Sequence, residues 1–287
     1  MAVFEMVKYH NQTYPKDIPL CISECSANFD ITSISADLAL SMHTEYSYGK
    51  RKMDTHIVSR FPTIVSAQKD GIPQLWKNEQ WAYEFAHFVF TLADGRTPEV
   101  IEIHPPFADY CDFDDFIKIY TVFEKLVVEK YPNVIILIEN RCGSVYHGGK
   151  FLISKNHDVE ELCRRIVEND LRLKIAYDVP QIYTAHNVKK PEQYTELIKQ
   201  IVDFRNCIGG VHLWGKRKSE TGRKVAHCGD LNTYFDNDND VKMAFLKEFN
   251  YAFNDGVVRK MVLEVNSGND DLLSIVDDLR SAGVEFV

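Results

Sequence analysis

Val134-Ile135-Ile136-Leu137-Ile138 is an unbroken apolar run, and Glu139-Asn140 follows it directly. Its β-branched residues favour extended chain, and no polar residue alternates within it. Such a run suits a parallel strand buried on both faces. On its N-terminal side, residues 114–130 space their apolar side chains helically and stop at Tyr131-Pro132-Asn133. On its C-terminal side, residues 156–169 read as an amphipathic helix and 171–176 as the next strand.

The same alternation extends both ways. Residues 191–204 are helical, with Pro191 suited to the first turn and Glu192 near the positive end of the helix dipole. Strands are predicted at 208–213 and 260–265, and helices at 240–253 and 270–282, the last ending at Gly283. Upstream, a helix over 76–92 leads into a strand at 100–103. Residues 20–26 and a run within 57–67 are the candidate first two strands. Val284-Glu285-Phe286-Val287 then closes the ring or packs beneath it. Repeated βαβ units with right-handed crossovers predict an α/β fold, a (β/α)8 TIM barrel, as a single domain over residues 1–287. An open doubly wound sheet is the alternative, weakened by the absence of a G-x-G-x-x-G turn after any strand.

Composition narrows the function classes. With 45% hydrophobic residues the chain can bury a sizeable core, and its net charge of −9 argues against a generic nucleic-acid surface. A metal could still supply local positive charge for a phosphate substrate. No stretch approaches the roughly 18 consecutive apolar residues of a membrane span. The opening MAVFEMVKYHNQTY has no apolar run of signal-peptide length, and the seven cysteines form no zinc framework. A cytoplasmic protein with reduced thiols and no membrane partner is expected.

Four residues stand at or beside the C-terminal ends of four successive predicted strands: Glu139, Asp178, His212 in GGVHLW and Glu264 in KMVLEV. Barrels gather such residues at one face. Three carboxylates and an imidazole are oxygen-rich ligands for one divalent metal ion, whether Mn, Mg, Co or Zn. Taken singly, a carboxylate just past a strand is more often a helix cap or turn acceptor.

The order Glu-Asn, Asp, His-Leu, Leu-Glu at successive strand ends resembles the xylose-isomerase-like TIM barrel superfamily. That superfamily includes sugar isomerases and epimerases and the endonuclease IV-type apurinic endonucleases. The resemblance covers residues 100–287 and implies that Glu139, Asp178, His212 and Glu264 bind the metal. His104-Pro105-Pro106 is similar to the endonucleases' third-strand His-Pro segment, and the stretch from His212 through Gly222 to Asp230 to their loop after strand six. The endonuclease pattern departs at Gln181, where a zinc-binding histidine is expected, and at Arg223 and Val225, where an Asp-x-His pair is expected. A mononuclear site is therefore expected.

The resemblance implies a metal-dependent isomerase or epimerase acting on a sugar or related polyhydroxy carbonyl compound. Glu139 and Glu264 would exchange the proton at the carbon next to the carbonyl. His104, Gln181, Arg217 and His227 are the candidate substrate contacts, with Arg217 in the basic cluster Lys216-Arg217-Lys218 and His227 paired with Asp230 over the pocket. A small-molecule substrate is favoured. A phosphodiester hydrolase acting on nucleic acid, or a non-catalytic barrel, are the alternatives. Trp76 and Trp81 read as helix packing, and specificity is expected in loops around 26–57 and 144–149.

Overall fold

The computed structural model describes residues 1–9, 12–26, 35–44, 55–69, 71–143 and 149–287. Eight parallel strands form a closed ring: β1 Val3–Lys8, β2 Ile22–Ser26, β3 Ala39–His43, β4 Pro98–Ile103, β5 Ile135–Glu139, β6 Lys174–Asp178, β7 Ile208–Leu213 and β8 Val258–Leu263. β8 closes on β1 with Met6 opposite Met261. Six longer helices pack outside: α1 Glu79–Leu92, α2 Phe113–Lys130, α3 Asn156–Glu168, α4 Pro191–Lys199, α5 Asn239–Phe253 and α6 Asn269–Ser281. This is a (β/α)8 TIM barrel.

The expected elements from residue 76 onward form within a few residues of their predicted bounds, because each helix has a local stop or start. Asn78, Asp112 and Asp238 accept hydrogen bonds from backbone N–H groups of the first turns of α1, α2 and α5. The first hundred residues correct the sequence reading. The run within 57–67 is not a strand but two short helices, Thr55–Val58 and Pro62–Ser66, the second started by Pro62 in its first turn. The true first and third strands are β1 and β3. The C-terminal Glu285–Phe286 pairs beside Val3 and Phe4 and does not close the ring. The loop residues 144–148, and most of those between Ser26 and Ile57, lie outside the described residues.

Strand alternation sorts the core into two layers. Ile101, Ile103, Ile136, Ile138, Ile175 and Tyr177 face outward into the main cluster against the helices. Val100, Leu137 and Ala176 face the barrel axis, as do Val7, Ile22 and Val262. One step further along β2 to β8, that inward face carries polar groups instead, while β1 continues with Tyr9.

The expectation of seven reduced thiols is corrected as well. Cys163 of α3 and Cys207, just before β7, form a disulfide across 44 residues of sequence, and the other five cysteines are free. The pair has no short spacing to betray it; helix packing alone makes them neighbours. No helix among the described residues is long and apolar enough to cross a membrane.

Candidate metal centre

Counting by twos from the apolar inner layer reaches Glu24, His43, Glu102, Glu139, Asp178, His212 and Glu264, all at the C-terminal ends of the strands and all nearly buried. Register sets the neighbours: His43 lies opposite Glu102, and Asp178 opposite His212. Ligand atoms of Asp178, His212 and Glu264 fall within 4.8 Å of one another, as do those of Glu102, Glu139 and His212 and those of His43, His104 and Glu139. The structure thus brings all four sequence-derived ligands to one mouth. Where the sequence reading expected a single ion, the geometry offers three linked triplets sharing Glu139 and His212.

Around Glu139, Arg141 Nη1 stands 2.8 Å from both carboxylate oxygens. Gln181 Nε2 donates to Glu139 at 2.5 Å and to Asp178 at 2.9 Å. Trp214 Nε1 donates to the same Asp178 oxygen at 3.0 Å, while Asp178 also accepts from the Gln181 backbone N–H, capping the helix Val179–Ala185. Asn140 holds the strand end itself, bonding both the N–H and the carbonyl of Asp178. His212 Nε2 lies 3.1 Å from Glu102 and its Nδ1 3.5 Å from Glu264. His43 Nε2 and His104 Nε2 are 3.0 Å apart, and the latter is 2.9 Å from Glu139.

The charges do not balance within the protein. Glu24, Glu102, Glu139, Asp178 and Glu264 are buried together, and among the described residues Arg141 is the one permanent cation touching them. Burial first, then the fields of Glu139 and Glu264, push the Asp178 carboxyl up to about 8. Burial works against ionised Glu264, yet His212 brings it down to about 2; Arg141 and His104 likewise overcome burial to hold Glu139 well below the carboxylate range. Burial would also discharge His43 and His212. Glu102 with Glu24, and Glu102 with Glu264, instead raise them well above the ordinary imidazole value. His104, buried and beside His43, drops to about 3.

These residues fit a divalent cation. Glu102 Oε1 and His212 Nδ1 are buried with no hydrogen-bond partner among the described residues. His43 Nε2, His104 Nε2 and Glu139 Oε2 converge so closely that shared protons cannot serve every lone pair. Nitrogen and oxygen donors without sulfur suit Mn, Mg, Co or Zn.

The remaining sequence candidates divide. His104 and Gln181 lie inside the cluster. His227 stands at its rim, Nδ1 3.3 Å from Glu264 Oε2 and its ring tilted 30° against that of Trp214, centroids 4.2 Å apart. It does not pair with Asp230, which caps the short helix Leu231–Tyr234 and accepts from Ser274. Gly215 lets this segment close in, since a Cβ there would stand 2.2 Å from the Gly229 carbonyl oxygen. Arg217 is not brought to the cluster; it ion-pairs with Asp271 at 2.6 Å. Arg223 and Val225 are exposed on the hairpin formed by Lys216–Lys218 and Lys224–Ala226. Trp81 packs in the helix layer as expected, whereas Trp76 also donates its indole N–H to the His104 carbonyl at 2.7 Å. Sequence reasoning missed Glu24, His43, Glu102, Arg141 and Trp214. Two-residue alternation back from His104 would have found Glu102, and alternation from Ile22 within the expected strand 20–26 would have found Glu24; His43 needed the third strand, which the sequence reading lacked.

No protein-family model matches this sequence, and no curated protein matches it. Solved structures do match. A D-tagatose 3-epimerase-like protein is similar with a TM-score of 0.51 at 13% identity, over 97% of each chain. A xylose isomerase-like TIM barrel/4-hydroxyphenylpyruvate dioxygenase fusion protein reaches a TM-score of 0.56 at 11% identity, over 100% of this chain and 46% of that one. At such identities the likeness is one of fold: the chain has the fold of the xylose isomerase-like TIM barrels.

Proposed function

We propose that this protein is a divalent-metal-dependent isomerase or epimerase of a sugar or related polyhydroxy carbonyl compound, with Glu139, Asp178, His212 and Glu264 as ligands of the ion. The observation that carries this reading is the buried carboxylate excess around Asp178, His212 and Glu264, which only a cation or bound protons can offset. A divalent ion would supply electrophilic chemistry there, polarising a carbonyl and acidifying the adjoining carbon. The chain's own side chains supply the rest. Glu139 and Glu264 flank Asp178 and His212 on the outer two of four adjacent strands, and both are held ionised, the form that accepts a proton. A proton taken from carbon by one and returned by the other inverts that carbon. One moved between neighbouring carbons relocates the carbonyl. His227, at the rim, would meet substrate oxygens, while His104 and Gln181 are turned to Glu139 and act on substrate through it.

The test is incubation with Mn²⁺ and a panel of ketoses in heavy water. Deuterium is expected at the carbon beside the carbonyl, and is expected to be lost in Glu139→Gln and Glu264→Gln. Absence of exchange with every member of the panel sinks the reading.

A second reading, metal-dependent phosphodiester hydrolysis, is favoured by the His43–His104–Glu139 triplet, which leaves donors for a further cation beside the first. Cleavage of a duplex carrying an abasic site, abolished in His43→Ala, would replace the isomerase assignment with this one.

A further inference from the structure

A cavity of about 230 Å³ near the carboxylate cluster is lined in part by Lys216, Lys224, Thr184, Asn187 and Tyr234, and no carboxylate is among its described lining residues. Trp214 touches groups of both. Its indole N–H is bound to Asp178, while its ring lies 5.4 Å from Lys216 Nζ and packs edge-on to Tyr234. Thr184, at the far end of the helix that Asp178 caps, receives the Lys216 ammonium at 3.0 Å.

The basic hairpin is sorted by its partners. Arg217 pairs with Asp271, and both Lys218 and Lys224 pair with Asp236. Lys216 and the exposed Arg223 make no ion pair among the described residues. Of the two, Lys216 is the one drawn inward, against the faces of Trp214 and Tyr234. Aromatic faces compensate an ammonium only in part, and burial accordingly lowers its hold on its proton. A half-buried cation with a hydroxyl and an amide beside it lacks one component, an anion.

We propose that this cavity seats a phosphate group at the far end of the substrate, with Lys216 as its main donor. The polyhydroxy carbonyl nature of the rest of that substrate rests on the isomerase reading; the anion subsite does not. Phosphate oxygens would accept from Lys216 Nζ and from the Thr184, Asn187 and Tyr234 side chains, with charge-assisted bonds providing most of the affinity.

The experiment is calorimetric titration of the full chain with inorganic phosphate in chelator, so that the metal plays no part. The parent is expected to bind, Lys216→Met to bind about tenfold to a hundredfold more weakly, Lys216→Arg to keep part of the affinity, and Arg217→Met to match the parent. Equal affinity in Lys216→Met and the parent, or no binding by the parent at millimolar phosphate, overturns the proposal. An oligonucleotide that binds through Lys216 more tightly than a ketose phosphate overturns the small-molecule assignment. The two readings fail separately. Phosphate binding by a protein that takes up no Mn²⁺ upholds the subsite and defeats the isomerase. Mn²⁺-dependent exchange with equal KM for phosphorylated and unphosphorylated ketoses does the reverse.

Discussion

Replacing Asp178 by asparagine separates a metal ligand from a structural cap, because the two roles predict opposite effects in the metal-free protein. In the fold the Asp178 carboxyl is raised to about 8 by burial and by Glu139 and Glu264, against about 3.9 in an unfolded chain. A carboxyl raised by folding contributes its full stability below the unfolded value and loses it as pH rises towards the folded one. At pH 7 the metal-free protein therefore pays up to about 4 kcal/mol to keep Asp178 protonated. Asparagine carries no such cost. It does set an amide against Trp214 Nε1 and Gln181 Nε2, which both donate to one Asp178 oxygen, at a loss of about 1–3 kcal/mol. Metal-free Asp178→Asn is thus expected to match the parent or to exceed it by up to about 3 kcal/mol. Mn²⁺ at a hundred times its Kd should stabilise the parent by about 2.7 kcal/mol, or roughly 4–5 °C at an unfolding entropy of about 0.6 kcal/mol/K for a chain this long. The variant should gain much less. Scanning calorimetry at pH 7 in chelator and in Mn²⁺ measures both arms. A parent indifferent to Mn²⁺, or a variant melting 10 °C or more lower in chelator (a threshold set at roughly twice the expected metal effect), would refute the reasoning.

Two further outcomes follow from features away from the centre. The Cys163–Cys207 disulfide closes a 44-residue loop, which the chain-entropy relation values at about 4 kcal/mol; Cys207→Ser should melt roughly 7 °C lower, and a melting point that neither this change nor a reductant alters would show that the bond contributes nothing. His186 Nε2 accepts the Asn156 N–H at the first turn of α3, and burial, then Lys155 and His157, lower its pKa. A histidine lowered by folding contributes stability above the unfolded value of about 6.5 and loses it as pH falls towards the folded value. Denaturant unfolding at pH 7.5 and pH 5.5 should therefore show a smaller acid-side loss in His186→Gln than in the parent, and identical pH dependence would count against it.

The amino-acid sequence by itself determined the architecture from residue 76 onward and named six of the residues that the fold gathers in the cluster, Glu139, Asp178, His212, Glu264, His104 and Gln181. Compact apolar runs such as 134–138, helix stops such as Tyr131-Pro132-Asn133, and a polar residue at each strand end are local signals, written within a few positions of the residues they govern. The first hundred residues were harder to read, because β1 and β3 are short and mixed in polarity while 57–67 is as β-branched as a strand. Only ring closure, with β1 held between β2 and β8, decides which of them pair. Tertiary structure alone decided that His43 joins the cluster, that Arg141 lies against Glu139, that Arg217 turns away to Asp271 while Lys216 turns in, and that Cys163 meets Cys207. The physical reason is common to all of these. Hydrophobic periodicity specifies which face of an element is buried, whereas the partner a polar side chain meets there depends on strand register and helix packing between segments far apart in the chain.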